Sequence, residues 1–301
     1  MKNILVTGNL GYIGSVLTEE LISIGCKVIG YDVGYFKDCL LTEEKKPSKQ
    51  ILKDIRDVNE SDFDDVEAII HLAGLSNDPL GELKKDITNI INYNATVNFA
   101  KLAKKMQIKR FIYSSSQSMY GISNTNEELD EYTSEKNPVT EYAKSKWLAE
   151  IELNKLNSSD FNVCSFRPST VFGKSPRLRC DIVFNNLVAA AYTSNKIIVK
   201  SDGTPQRPVI HIKDVCNALI SGLKAPSELI AGKSFNVGIH NGNFSVRNLA
   251  EEVKKVIPNC EINYLNKESD PRTYKVSFKK ILNELQDYYK PSMNLKDGAE
   301  E

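Results

Sequence analysis

The chain has 301 residues, and its 39 Lys and Arg balance 39 Asp and Glu to a formal net charge of zero. That balance is unlike a nucleic-acid or acidic-membrane binder, which needs a surplus of cations on one face, so neither partner is expected. With 41% hydrophobic and 26% charged residues, 16 Gly and 11 Pro, the chain is neither low-complexity nor fibrous, and it is long enough for one large domain carrying a smaller lobe.

The first apolar run, Ile4 to Val6, begins too near the start to follow a secretory signal, and no run approaches the ~20 apolar residues of a bilayer span. The expected location is therefore the cytoplasm. Cys26, Cys39, Cys164, Cys180, Cys216 and Cys260 form no C-x-x-C pair, and His71, His211 and His240 have no ligand spacing. Reduced thiols and no metal are expected.

Further β-rich runs follow at Lys27 to Tyr31, Ala68 to Leu72, Arg110 to Tyr113, Asn162 to Phe166 and Ser234 to Val237. Between them the spacing predicts helices over Ile13 to Ile24, Ile87 to Met106, Glu141 to Leu156 and Asp214 to Leu223. Strands alternating with helices predict an α/β fold, a doubly wound parallel sheet covered on both faces. Trp147, Leu148 and Ile151 read as core or dimer packing. After Gly173 come a basic segment, Lys174 to Arg179, and a helix from Ile182 to Tyr192. Past Gly238 a helix (Val246 to Val256), a strand near Ile262, an irregular Ser269 to Tyr274 stretch and a final helix are expected. The predicted division is residues 1–173 with 202–238 for the sheet domain, and 174–201 with 239–301 for a smaller C-terminal lobe.

The first strand runs into Thr7-Gly8-Asn9-Leu10-Gly11-Tyr12-Ile13-Gly14, a glycine spacing that opens a helix. Glycines there permit a tight turn and close backbone approach to a pyrophosphate resting on the helix N-terminus. Asp32, ending the second strand, would accept hydrogen bonds from ribose hydroxyls and repel a 2′-phosphate, which favours NAD over NADP. Asp54 and Ile55 either border the adenine or form an ordinary turn.

Tyr142 and Lys146 stand four apart on one helical face. A tyrosine titrating near 10 needs about three units of phenolate stabilisation to act as a base at neutral pH, roughly 4 kcal/mol, and a lysine ammonium ~4 Å away supplies about that much. By itself such a pair occurs by chance in many helices. The run Tyr113-Ser114-Ser115-Ser116-Gln117-Ser118-Met119-Tyr120-Gly121 follows a strand, and polar side chains beyond strand C-termini face the ligand crevice of an open α/β sheet. A serine there can bind the hydroxyl whose proton Tyr142 removes, while turn capping accounts equally for Ser114 and Ser115.

Together with His71-Leu72-Ala73-Gly74, Asn94, Arg167-Pro168 to Gly173 and Arg207-Pro208-Val209-Ile210-His211-Ile212-Lys213-Asp214, these motifs resemble the extended short-chain dehydrogenase/reductase family of nucleotide-sugar epimerases and dehydratases. The resemblance implies a Rossmann-like fold, NAD as cofactor, a nucleotide-sugar substrate, and Ser116, Tyr142 and Lys146 as catalytic residues. It places His71, Leu72, Ala73, Gly74, Asn94, Ser114, Tyr142 and Lys146 beside the cofactor along with the glycine loop. Toward the substrate it places Ser116, Gln117, Ser118, Tyr142, Thr170, Arg179, Asn185, Arg207 and Arg272. Arg177-x-Arg179-x-Asp181 is similar to a branch of surface-polysaccharide sugar enzymes, with a solvated loop as the plain alternative for both arginines. The resemblance also implies a homodimer through the Ile87 to Met106 and Glu141 to Leu156 helices, with Ile90, Ile91, Phe99, Trp147 and Leu148 as apolar positions.

Dehydratases of the family carry Thr-Asp-Glu after the strand, where this chain has Gln117 and Ser118; decarboxylases carry Glu in place of Ser118. A 4-epimerase is the implied activity, with a dehydrogenase or 4-ketoreductase as the alternative and a catalytically silent NAD-binding scaffold or sensor as the rival of another kind. Thr170 stands where galactose-type 4-epimerases carry Asn.

Overall fold

The computed structural model describes residues 2–76, 78–122, 127–265 and 273–301. Its strands, in chain order, are β1 (Asn3–Thr7), β2 (Lys27–Asp32), β3 (Lys49–Leu52), β4 (Ala68–His71), β5 (Arg110–Ser114), β6 (Glu128–Leu129) and β7 (Asn162–Pro168). There follow β8 (Thr170–Phe172), β9 (Lys196–Val199), β10 (Gln206–His211), β11 (Lys233–Val237), β12 (Asn243–Ser245), β13 (Glu261–Tyr264) and β14 (Lys275–Val276). Seven of them form one parallel sheet in the order β11-β7-β5-β4-β1-β2-β3. The order reverses between β1 and β4, which opens a crevice at their C-terminal ends.

The side-chain alternation of β1 explains the two covered faces. Ile4 and Val6 point into a core shared with Val16, Leu17, Phe166 and Leu219, whereas Leu5 points to the opposite core with Tyr31, Phe99, Phe111 and Leu153. The helices Tyr12–Ser23 and Ile212–Lys224 pack on the first face; Thr96–Lys105 and Glu141–Leu156 pack on the second. The doubly wound sheet expected from the sequence is thus present.

A third core, around Phe172, Phe184, Leu187, Ile197, Val209 and Leu249, gathers β8, β10, the β9–β13 pair and the helices Val183–Ser194 and Val246–Val256. β10 joins β8 and β12 rather than the large sheet, to which the chain returns only at β11. The final helix is two short ones, Lys279–Glu284 and Leu295–Glu300.

The helix expected over Ile87 to Met106 is interrupted. It starts as Lys85–Asn89, widens into a π-turn over Ile90–Ala95 and resumes as Thr96–Lys105. A π-turn carries one extra residue, so side chains before and after it change face. Phe99, expected at a dimer surface, consequently lies fully buried, edge-on to Tyr31 at 5.5 Å and to Phe63 at 5.1 Å.

Candidate active site

A cleft of about 1220 Å³ opens at the C-terminal ends of the central strands, between the sheet and the third core. At its floor the chain turns from β1 into the Tyr12–Ser23 helix. Gly8 has φ +72, and a Cβ there would come within 2.9 Å of the Ala73 nitrogen. A Cβ on Gly14 would overlap the Gly8 carbonyl oxygen, so strand and helix meet as closely as they do only without one. The helix begins at Gly11 with no side-chain cap, leaving first-turn N–H groups for an anion.

Asp32 stands beside this turn, accepting from Leu10 N at 3.2 Å and Gly34 N at 2.8 Å. Burial raises its pKa, and the two N–H groups partly offset that. Leu10, Tyr12, Ile13, Asp54 and Ile55 line the same end of the cleft. Asp54 is both the turn carboxylate and a cleft residue, capping Arg56 N and gripping its guanidinium at 3.0 and 2.8 Å. These groups fit a dinucleotide: glycine-permitted backbone donors for its diphosphate and a carboxylate for its ribose.

Three sequence assignments change here. Asn9 exchanges hydrogen bonds with Gln50 at 2.8 and 3.1 Å, so its buried side chain faces away from the cleft. His71 is a core residue, held between Thr7 Oγ1 and Thr96 Oγ1 at 3.0 Å each; burial drops its pKa to about 3. Asn94 is exposed and outside the cleft. Across the π-turn it is Asn92 that turns inward, buried beneath the cleft rather than lining it and bonded to Leu75 N at 2.7 Å and Leu75 O at 2.9 Å. Leu72, Ala73 and Gly74 line the cleft as expected, with Thr7 Oγ1 accepting from the first two main-chain nitrogens.

Ser116, Tyr142 and Lys146 all line the cleft. Tyr142 and Lys146 come from the Glu141–Leu156 helix, whose start is fixed by Thr140 Oγ1 accepting from Ala143 N at 3.2 Å. Lys146 is buried, its Nζ 4.5 Å from the centre of the Tyr113 ring. Burial lowers its pKa to about 7, against an upward pull from Glu150. Ser116 caps the Gln117–Tyr120 turn, accepting from Ser118 N, and its Oγ lies 2.7 Å from Ser118 Oγ. Capping thus falls to Ser116, while the buried Ser115 Oγ has no hydrogen-bond partner among the described residues. Ser114 also lines the cleft.

On the substrate side, Gln117, Ser118, Thr170, Arg179 and Arg207 line the cleft. Gln117 has its amide fully engaged by Arg167 O, Val237 O and Ser169 Oγ. Arg179 grips Asp181 at 3.0 and 2.6 Å and reaches Ser76 across the mouth at 3.4 Å. Burial opposes its charge, but Asp181 outweighs burial, with Tyr142 and Tyr12 adding to the upward shift. Asn185 is not at the cleft surface. Its side chain accepts from Gly173 N and donates to Tyr12 Oη and Arg179 O, so it positions those residues. Arg272 lies outside the described residues. Tyr35 and Phe36, in the loop after β2, also line the cleft, and no sequence motif pointed to them.

The chain matches the model of the NAD dependent epimerase/dehydratase family over residues 4–238. It is 29% identical to UDP-glucuronic acid decarboxylase 1 of Arabidopsis thaliana, covering 98% of this chain and 67% of that protein. It is 27% identical to human (Homo sapiens) dTDP-D-glucose 4,6-dehydratase, covering 85% of this chain and 74% of that one. The chain spans 66% of the length of two further plant decarboxylases that it matches. Among solved structures, UDP-glucose 4-epimerase of Thermotoga maritima with UDP-glucose superposes with TM-score 0.85 at 22% identity, covering 99% of this chain and 96% of that one.

Proposed function

The chain belongs to the NAD-dependent epimerase/dehydratase family, and from that premise we propose that it is a nucleotide-sugar 4-epimerase. The observation that carries the proposal is that Ser116, Tyr142 and Lys146 line the same cleft as the glycine loop, with Gln117 and Ser118 following the serine. NAD, held by the Gly8 to Gly14 backbone and Asp32, supplies a hydride acceptor and donor. Tyr142 takes the proton of the sugar hydroxyl, Lys146 steadies the phenolate by its charge, and Ser116 donates a hydrogen bond to the sugar oxygen. Arg179, Arg207 and Thr170 orient the nucleotide sugar, with guanidinium groups suited to a diphosphate. In this reading residues 1–173 and 202–238 bind the cofactor, and residues 174–201 and 239–301 bind the sugar nucleotide in a cytoplasmic enzyme.

The test is incubation of the purified protein with UDP-, GDP- and dTDP-sugars, following NADH absorbance and new sugar isomers. An isomer without net NADH supports the epimerase. Stoichiometric NADH with a released keto or acid sugar replaces it with a dehydrogenase, and NAD binding with no turnover on any sugar nucleotide replaces it with a silent scaffold. A homodimer is also proposed: Ile90 and Leu148, on the two helices in question, stay 39% and 41% exposed in the single chain. A monomer by light scattering at micromolar concentration refutes that part.

A further inference from the structure

By sequence, Arg177 belongs to a basic loop between the substrate side and solvent; in the fold it turns toward the cofactor end. Its guanidinium lies 4.3 Å from the centre of the Phe36 ring, in the loop that follows Asp32. Both residues line the cleft together with Gly11, Tyr12 and Asp32. Two links tie Arg177 to the first turn of the Tyr12–Ser23 helix: its N–H donates to Ser175 Oγ at 3.2 Å, and Ser175 Oγ donates to Tyr12 O at 2.8 Å. The loop carrying Phe36 is stitched to the same segment, because Leu41 N donates to Pro176 O at 2.9 Å.

The guanidinium itself is poorly satisfied. Nη1 reaches the Leu178 carbonyl only at 3.4 Å, and the buried Nε has no hydrogen-bond partner among the described residues. Arg56 and Arg179, also in the cleft, each have a bidentate carboxylate. Among the described residues Arg177 forms no ion pair. A guanidinium held over an aromatic ring by its carbon can keep N–H donors free for an anion, and its planar fork suits phosphate oxygens. The anion whose seat adjoins this residue is the diphosphate at the uncapped helix start.

We propose that Arg177, held over the Phe36 ring, donates to the diphosphate of the bound dinucleotide, and that the two residues clasp the cofactor so that it stays in place from one turnover to the next. The proposal rests on NAD being the cofactor and is independent of which sugar is turned over. Release of the cofactor then requires the Phe36 loop and the Arg177 loop to part, which the Leu41–Pro176 hydrogen bond opposes. A retained cofactor is what a reaction that returns its hydride to the same sugar needs.

The experiment uses NAD⁺ alone, without sugar nucleotide, on wild type, Arg177→Met, Arg177→Lys and Phe36→Ala. The NAD content of the purified proteins and the rate of NAD⁺ release after dilution are measured by chromatography of filtered samples. Arg177→Met is expected to release NAD⁺ roughly tenfold to a hundredfold faster, the scale of one hydrogen bond to a charged group. Arg177→Lys, which keeps the charge without the planar fork, should fall between the two, and Phe36→Ala should accelerate release less than Arg177→Met. The Arg177→Met/Phe36→Ala double variant should release no faster than the sum of the separate losses predicts, because both act on one clasp. Arg177→Met releasing NAD⁺ at the wild-type rate overturns the clasp alone. So does an Arg177→Met protein that keeps NAD⁺ but loses affinity for UDP, which would move the residue to the substrate side. Wild-type protein that carries no NAD⁺ as purified and also binds none by calorimetry would overturn the cofactor assignment together with the clasp.

Discussion

Replacing Lys146 by Met should make the cofactor-free protein more stable while impairing its work. Burial holds the Lys146 pKa at about 7, against 10.5 for the ordinary side chain. That difference corresponds to roughly 5 kcal/mol disfavouring the folded state wherever both states carry the proton. The unfolded chain holds its proton up to about pH 10.5 and the folded one only to about pH 7, so stability rises with pH between those limits and the full penalty applies below pH 7. Met fills a similar volume without the charge, but it gives up the ammonium contact with the Tyr113 ring, worth about 1 kcal/mol. Allowing for relaxation around the new side chain, the net gain at pH 6.5 should be about 2–4 kcal/mol. With an unfolding entropy of roughly 2.1 cal/mol/K per residue, that raises Tm by about 3–6 °C. The gain should shrink toward zero by about pH 10. Thermal and urea unfolding followed by circular dichroism at both pH values checks this, alongside NAD retention and turnover, both of which should fall. A variant no more stable than wild type at pH 6.5, or a gain unchanged at pH 10, would refute the reasoning.

Tyr142→Phe keeps the ring and deletes the proton acceptor, so kcat should drop roughly 10²- to 10⁴-fold with NAD affinity nearly unchanged; retention of most activity on the best substrate rejects the mechanism. Gly14→Ala places a Cβ on the Gly8 carbonyl, and the forced separation of strand and helix should weaken NAD binding and lower stability by more than about 2 kcal/mol, read by calorimetry and urea titration. Arg167→Met strands the buried Glu150, its partner at 2.6 Å, and should destabilise by about 3–5 kcal/mol, whereas adding Glu150→Met should recover part of the loss; equal destabilisation of the single and double variants counts against the pairing.

Where the sequence could be read, the cause was a local signal that the fold had no reason to override. The glycine spacing announced the tight turn because the left-handed Gly8 backbone, close against Ala73, and the Gly14 contact with Gly8 leave no room for a Cβ. The helix Glu141–Leu156 falls at its predicted bounds, and the structure supplies the local reason: Thr140 caps its first turn. The misassigned residues depend on distant partners. Asn92 and Asn94 are chemically alike and two apart, and only the π-turn, together with the Leu75 main chain waiting 17 residues upstream, decides which turns inward. Phe36 has no motif, since its role depends on Arg177, which reaches it from another loop. Asn185, Gln117 and Phe99 were legible as residues of consequence, but whether a polar or apolar group faces the cleft or the interior is fixed by tertiary contacts that spacing does not encode.

The choice of reaction lies in a handful of atoms rather than in the scaffold, as a decarboxylase, a dehydratase and an epimerase among the similar proteins illustrate. Eliminating water from a sugar needs an acid and a base beyond the tyrosine that starts the oxidation. In this cleft the two residues after Ser116 offer neither. The Gln117 amide does not titrate, and both its nitrogen and its oxygen are engaged by Arg167 O, Val237 O and Ser169 Oγ, so swinging it toward a substrate would leave those buried groups unpaired. The Ser118 hydroxyl is 2.7 Å from Ser116 Oγ and shares a hydrogen bond with it, and a serine hydroxyl is too weak an acid to stand in for a carboxylic acid. On the proposed reading, with Tyr142 as proton acceptor and NAD as hydride acceptor, the chemistry would reduce to oxidation at a single ring carbon and its reversal. On that reading epimerisation would require the oxidised sugar and the cofactor to stay together long enough for the ring to turn, which gives the proposed role of the Arg177 and Phe36 contact its weight: a cofactor that left early would make the same site a dehydrogenase.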